Sequence, residues 1–527
     1  MRRRRWVIAL VVAAGFLGGL VVAALVLAPR AEDVLREKLI DLLEARFDST
    51  VELRALHVSL FPRIHVTGED LVLRRHNQPG AAPLIQLDRF TAETDWRGAM
   101  ARPRKVHSVT VQGLRITITP SSDGVRDNEH GGCRGDRRHV VNDPGTAKDS
   151  PVYVEVLRAP GTELQLLPRD KAKRPRQFSI QDLTIRGLTV DRPFDYDAQL
   201  TNPTPRGLIH ARGQFGPWAT NDPGLSPVSG RYTFDDADMS TINGLGGTLR
   251  STGAFNGVLE QILVHGETTT PQFSLTTGGA PVPLATRFDA CVDGSDGDTY
   301  LDRVDATLGS TPIAASGRVE GTVGVEGRTV ALDVKIAKGR IEDVLRLTVN
   351  GAPLMKGALS LDARLKLPPG ASPVVRRLQL DGRFDLTKTH FTGRALQAKI
   401  NEFSRRGRGD VEDPTADNVT SDLRGQFALA GGTMRLPSLD FAVPGAEVRL
   451  AGHYGLENEA LAFEGTVRLQ AKVSQTTTGV KSLLLKMVDP LFSRKDAGTV
   501  LPIHITGTRT DPKFGVDVKG ALLRKDM

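Results

Sequence analysis

Leu461 to Ser474 reads LAFEGTVRLQAKVS. Leu461, Phe463, Val467, Leu469, Ala471 and Val473 share one parity, whereas Glu464, Thr466, Arg468, Gln470 and Lys472 share the other. Successive side chains of a strand point to opposite faces, so this stretch has one dry face and one wet face, the mark of an antiparallel sheet buried on a single side. The pattern recurs outward along the chain at Leu359–Leu367 (LSLDARLKL), Leu378–Leu386 (LQLDGRFDL) and Val330–Ile336 (VALDVKI). Glycine and proline, 54 and 31 in number, punctuate it as short strands joined by turns require. The dry-face candidates are Leu361, Leu365, Leu380, Phe384, Leu461, Phe463, Val467, Leu469 and Val473.

Two stretches change phase at a glycine. In VTVQGLRITIT, Val109 and Val111 share parity but Leu114, Ile116 and Ile118 take the opposite one; LTIRGLTV repeats the layout around Gly187. A bulge near Gly113 would restore a single dry face and add twist. Helical spacing is confined to Ala31–Phe47, Gln397–Arg405 and Val480–Phe492. Ser121 to Asp149 is rich in Gly, Asp and Arg with little alternation, and is expected to be a flexible loop.

With 527 residues, 39 % hydrophobic and only 5 % aromatic, the chain is short of material for the three or four compact domains its length would ordinarily imply. One elongated sheet accounts for this better. The net charge of +8 is no footprint for nucleic acid, because Arg2 to Arg5 contribute half of it and the rest of the chain is nearly balanced. Trp6 to Ala28 is an uncharged run of 23 residues. As a helix it would reach about 35 Å, enough to cross a bilayer core. Its length argues for an uncleaved signal anchor over a cleaved signal peptide, and the preceding arginines place the N-terminus in the cytoplasm. Cys133 and Cys291 make no disulfide framework; two isolated thiols in loops are expected, although spacing alone does not decide whether they pair.

Searching for chemistry returns little. G-x-S-x-G, H-E-x-x-H and C-x-x-C are all absent from the sequence. Thr476–Ser482 (TTTGVKS) lacks the upstream glycine of a phosphate loop, and Asn243–Gly253 (NGLGGTLRSTG) reads as a hairpin turn. His130, Cys133 and His139 do not supply a convincing four-ligand set, and Val292–Asp302 misses the order of a calcium loop. No catalytic residue, metal or cofactor is therefore expected.

Val443 to Phe492 and Leu501 to Val518 resemble the closing region of the AsmA family of bacterial envelope proteins. Asp293–Gly309 and Ile400–Asp410 are similar to its middle, and the apolar run followed by a helix and Leu53–Arg74 to its start. The family resembles bridge-like lipid transfer proteins with chorein-like N-termini. The resemblance implies a mainly β fold: a single N-terminal transmembrane helix, then an elongated, curled antiparallel β-sheet groove with a few short helices. The corresponding divisions are a cytoplasmic tail (1–5), the anchor (6–28), an N-terminal region (29–120), the loop (121–150) and a repetitive groove (151–527). It further implies an inner-membrane protein, not an enzyme, whose periplasmic part carries phospholipid toward the outer membrane. The membrane, phospholipid, and envelope proteins or a second copy are the expected partners. The alternative is a non-conducting assembly factor that acts through protein partners.

Overall fold

The structure, a computed structural model, describes residues 49–59, 62–75, 83, 85–118, 152–166, 176–189, 192–217, 226–259, 261–276, 278–294, 297–321, 325, 327–409, 419–471, 493–494, 498–508 and 511–516, with Arg36, Glu37, Ile40 and Cys133. The expected anchor at 6–28 and the expected helix at Val480–Phe492 lie outside these residues, as does the 121–150 loop apart from Cys133. Among the described residues no helix is long and apolar enough to cross a membrane.

The alternating segments pair into one curled sheet of 27 strands, the expected mainly β architecture. From Arg176–Leu188 to Ala460–Leu469 each strand runs antiparallel to the one before it, apart from the two-residue strand Leu245–Gly246. At about 4.8 Å per strand the sheet extends on the order of 100 Å. The expectation of an antiparallel sheet needs one correction. Arg104–Gln112 pairs in parallel with Val152–Arg158, and Arg115–Ile118 with Thr162–Leu166. A parallel pair needs a crossover of a dozen residues or more, and residues 119–151 span that connection.

Gly113 and Gly187 adopt φ of +64° and +68°. Burial changes parity across Gly113, with Val109, Val111, Leu114 and Ile116 all buried, so a single dry face is kept. The expected bulge is absent, however. Gln112 pairs with Arg89 and Arg115 with Gln86, so register is continuous. The partner strand Ile85–Thr94 instead changes parity at the same level, at Asp88 and Arg89.

Val51 to Ala198 contribute one large core in which every member is at most 8 % exposed. Beyond residue 200 the cores are small: Val282, Leu308 and Leu347; Ile336, Leu359 and Leu386; and a group from Val443 to Leu469. Helices occupy the connections, chiefly Ile341–Thr348 and Arg394–Arg408; the second contains the Gln397–Arg405 stretch expected to be helical.

Cys133 and Cys291 are joined in a disulfide with Cα atoms 5.7 Å apart. The expectation of two isolated thiols in loops is thereby corrected: Cys291 lies within the strand Gly278–Val292 and is 4 % exposed. The 119–151 connection brings Cys133 to a strand 158 residues further along the chain, which spacing could not reveal.

Candidate functional site: an apolar groove

Register carries the dry face from strand to strand without a break. Starting at Val58, the paired residue on each successive strand is Val66, Ala92, Val109, Leu157, Ile185, Tyr196, Gly213 and Gly230. The row continues through Phe255, Val264, Ala290, Leu301, Gly317, Leu332, Leu365, Leu380, Leu429, Met434, Tyr454 and Leu461 to Gly507 and Pro512. No member is charged. A second row, Ile336–Leu361–Phe384–Gly425–Leu439–Leu450–Gly465–Ile503, runs beside it.

On Met355–Leu367 the four leucines are buried or half-buried, and Lys356, Ser360, Asp362, Arg364 and Lys366 are exposed. A flat single-layer sheet would expose both faces alike, so the curl shelters the apolar side, which is concave. The outer face carries cross-strand ion pairs such as Arg364–Asp381 at 2.8 Å and Arg383–Asp362 at 2.9 Å. These are exposed and contribute little stability.

Glycines set the groove's depth. A Cβ at Gly266 would lie 2.7 Å from the Phe288 ring and 2.6 Å from the Tyr232 hydroxyl, and one at Gly452 would lie 2.7 Å from Phe463. Aromatic rings thus lie over neighbouring backbone instead of projecting into the groove. Floor hydroxyls satisfy one another: Tyr232 bonds Ser251 at 3.1 Å and Thr268 bonds Thr286 at 2.6 Å. Burial pushes both the Tyr196 and Tyr232 phenols up, with Ser251 partly opposing this at Tyr232, so both stay neutral.

The lips are built from connections. Asp343, 4 % exposed in the first turn of Ile341–Thr348, accepts hydrogen bonds from the Ser310 N–H and hydroxyl and from the Thr311 hydroxyl at 2.9–3.0 Å. Burial works to raise this carboxyl, but those bonds and nearby Arg346 outweigh it and hold it below the usual carboxylate range. On Arg394–Arg408, Ile400 and Phe403 pack over Val443, Val448, Val467 and Leu469. The two lips also touch. Asn243, on the connection after Pro227–Asp238, donates to the Ala371 carbonyl at 2.5 Å and accepts from the Val374 N–H at 3.2 Å. Antiparallel alternation puts residues 239–247 and 368–378 at opposite strand ends, so this contact bridges the mouth.

Of the sequence-derived candidates, Leu361, Leu365, Leu380 and Phe384 stand together and half-buried on adjacent strands of the open groove. Leu461 is half-buried on the same long row. Phe463, Val467 and Leu469 share its face but are only 7–8 % exposed, the last two under the helix Arg394–Arg408. Val473 lies outside the described residues. The sequence reading missed the ring-over-glycine pairs, although alternate glycines on a dry parity were a visible sign of them; the lip contact left no local signal.

Among the described residues no group of His, Cys, Asp or Glu could hold a metal, and the disulfide removes Cys133 as a thiolate ligand. Asp298, from the candidate calcium stretch, pairs instead with Arg328 and the Gly321 N–H, both at 2.9 Å. Comparison with family models, curated proteins and solved structures finds no match.

Proposed function

We propose that this chain is an AsmA-like envelope protein, anchored in the bacterial inner membrane, that carries or bridges phospholipid toward the outer membrane along the groove. The uninterrupted apolar register row from Val58 to Pro512 is the observation that supports the reading most. Acyl chains there leave water at about 0.8 kcal/mol per CH₂, while headgroups stay at the open mouth. The groove contacts demand shape and dryness rather than specific bonds, and the role is that of a carrier rather than an enzyme. The Cys133–Cys291 disulfide favours an oxidising compartment, in keeping with a periplasmic main region.

Photocrosslinking in cells tests this. A photoreactive side chain at Leu365 should capture phospholipid, and one at the neighbouring wet-face Lys366 should not. Protein-only adducts at both positions would sink the conduit. That outcome would favour the second reading, a non-conducting assembly factor, which has some support in the fully packed face between Val51 and Ala198.

A further inference from the structure

The turn between the strands Ile85–Thr94 and Arg104–Gln112 presents large apolar side chains to solvent, against the usual economy of burial. Trp96 is 44 % exposed and Met100 75 % exposed, two of the five exposed large hydrophobics among the described residues. Arg97 and Arg102 lie in the turn and Arg104 and Lys105 open the strand that follows it, and none of the four pairs with a described acid. Ile64 pairs with Thr94, which brings the exposed Arg63 to the same lip.

The display is rigid. Asp95 accepts the Gly98 N–H at 2.6 Å, Thr94 donates to the Lys105 carbonyl at 2.6 Å, and Ala99 is buried beneath. The nearby acids are engaged elsewhere, Asp95 and Glu155 with His107 and Glu93 with His65. Arg63, Arg97, Arg102, Arg104 and Lys105 outnumber the three nearby carboxylates, which leaves a net positive charge around an indole and a thioether.

We propose that this turn is a docking foot that rests on an anionic phospholipid bilayer. Tryptophan is suited to the headgroup level, where its ring is half-apolar and its N–H stays wet. Arginine and lysine around it complement a negatively charged lipid surface. Its position agrees: it joins early strands of the sheet, which follow the 23-residue apolar run Trp6–Ala28. Seating the foot would set the tilt of the sheet on the membrane, whatever the groove carries.

Trp96 itself is the probe. The chain has three tryptophans, so Trp6→Phe with Trp218→Phe leaves Trp96 alone in the full-length protein. This variant would be reconstituted into phosphatidylcholine vesicles containing brominated acyl chains, with or without phosphatidylglycerol. The expected result is a blue-shifted Trp96 emission, quenched severalfold more strongly when phosphatidylglycerol is present. Arg97→Glu with Arg102→Glu and Lys105→Glu should return the emission to that of an indole in water; all three are exposed positions. Water-like, unquenched emission from Trp96 on both vesicle types would overturn the proposal and leave the patch to a protein partner. Equal quenching on both would overturn its charge-directed part.

Discussion

Strands up to about residue 200 and those beyond it share one alternation and one continuous register, yet they bury their dry faces to different degrees. In the first region Ile64, Val66, Leu87, Phe90, Val109 and Val111 are all essentially inaccessible. In the second, Phe255, Val264, Phe288, Leu332 and Leu365 are half-exposed. Side-chain volume explains the contrast. The first region's row is nearly all branched aliphatic, whereas the second places Gly213, Gly230, Gly253, Gly266 and Gly317 on the floor. Phe90 also lies over a glycine, Gly68, but among branched aliphatic neighbours that fill the inner face; a floor rich in glycine leaves it unfilled. Volume on the dry parity, rather than the alternation, separates a core from a groove.

The largest expected effect tests that difference directly. Phe90→Ala removes a fully buried ring, and should cost about 3–5 kcal/mol. Phe288→Ala removes a half-exposed one and should cost about 1–2 kcal/mol. Hydrogen exchange on the flanking strands is the suitable measurement, because an elongated sheet of this length opens locally rather than as one unit. Equal losses at the two sites would erase the distinction between filled and open regions.

Much of this was legible in the residues. Alternation at Leu359–Leu367 and Leu378–Leu386 led directly to paired strands with Leu361 opposite Phe384 and Leu365 opposite Leu380. The phase change at Gly113 correctly announced a retained dry face. What could not be read was anything that depends on how strands meet: the matched parity change on Ile85–Thr94, the parallel crossover, the lip contact at Asn243, and the cover that Arg394–Arg408 places over Val467 and Leu469. Period-two patterning reports which way a side chain points and is silent on what lies opposite it.

The disulfide joins the two regions covalently and yields the next effect in size. Cys133 belongs to the connection between two strands of the filled region, Arg115–Ile118 and Val152–Arg158, and Cys291 to a strand of the open one, on its outer face beside Leu263 and Tyr300. Cys291→Ser removes a link that closes a span of 158 residues, for a loss of about 2–4 kcal/mol. The loosening should appear in exchange on Gln261–Leu275 and Gly278–Val292 and leave Ile64–Arg75 protected. Loss of protection in both regions would mean that the filled core depends on the open sheet, and the two would no longer be separable.

The smallest effect lies inside the filled region, at the parallel crossover. His107 contacts Glu155 on the neighbouring parallel strand at 2.9 Å and Asp95 at 3.3 Å. The hydrogen bond to Glu155 chiefly raises the imidazole above the usual histidine value, with burial opposing and Asp95 adding. A raised folded-state pKa means that the pair stabilises fully below the ordinary histidine value and that this contribution fades as pH rises through the raised one. The His107 side chain is 43 % exposed, so solvent screening holds the contribution to about 0.5 kcal/mol or less. Histidine NMR should show His107 titrating above the ordinary value, and Glu155→Gln should bring it down while Asp95 still accepts the Gly98 N–H. If Glu155→Gln instead opened Val152–Arg158 to exchange, the crossover would be held by this surface pair. The filled region would then rest on polar contacts, not on the side-chain volume that sets it apart from the groove.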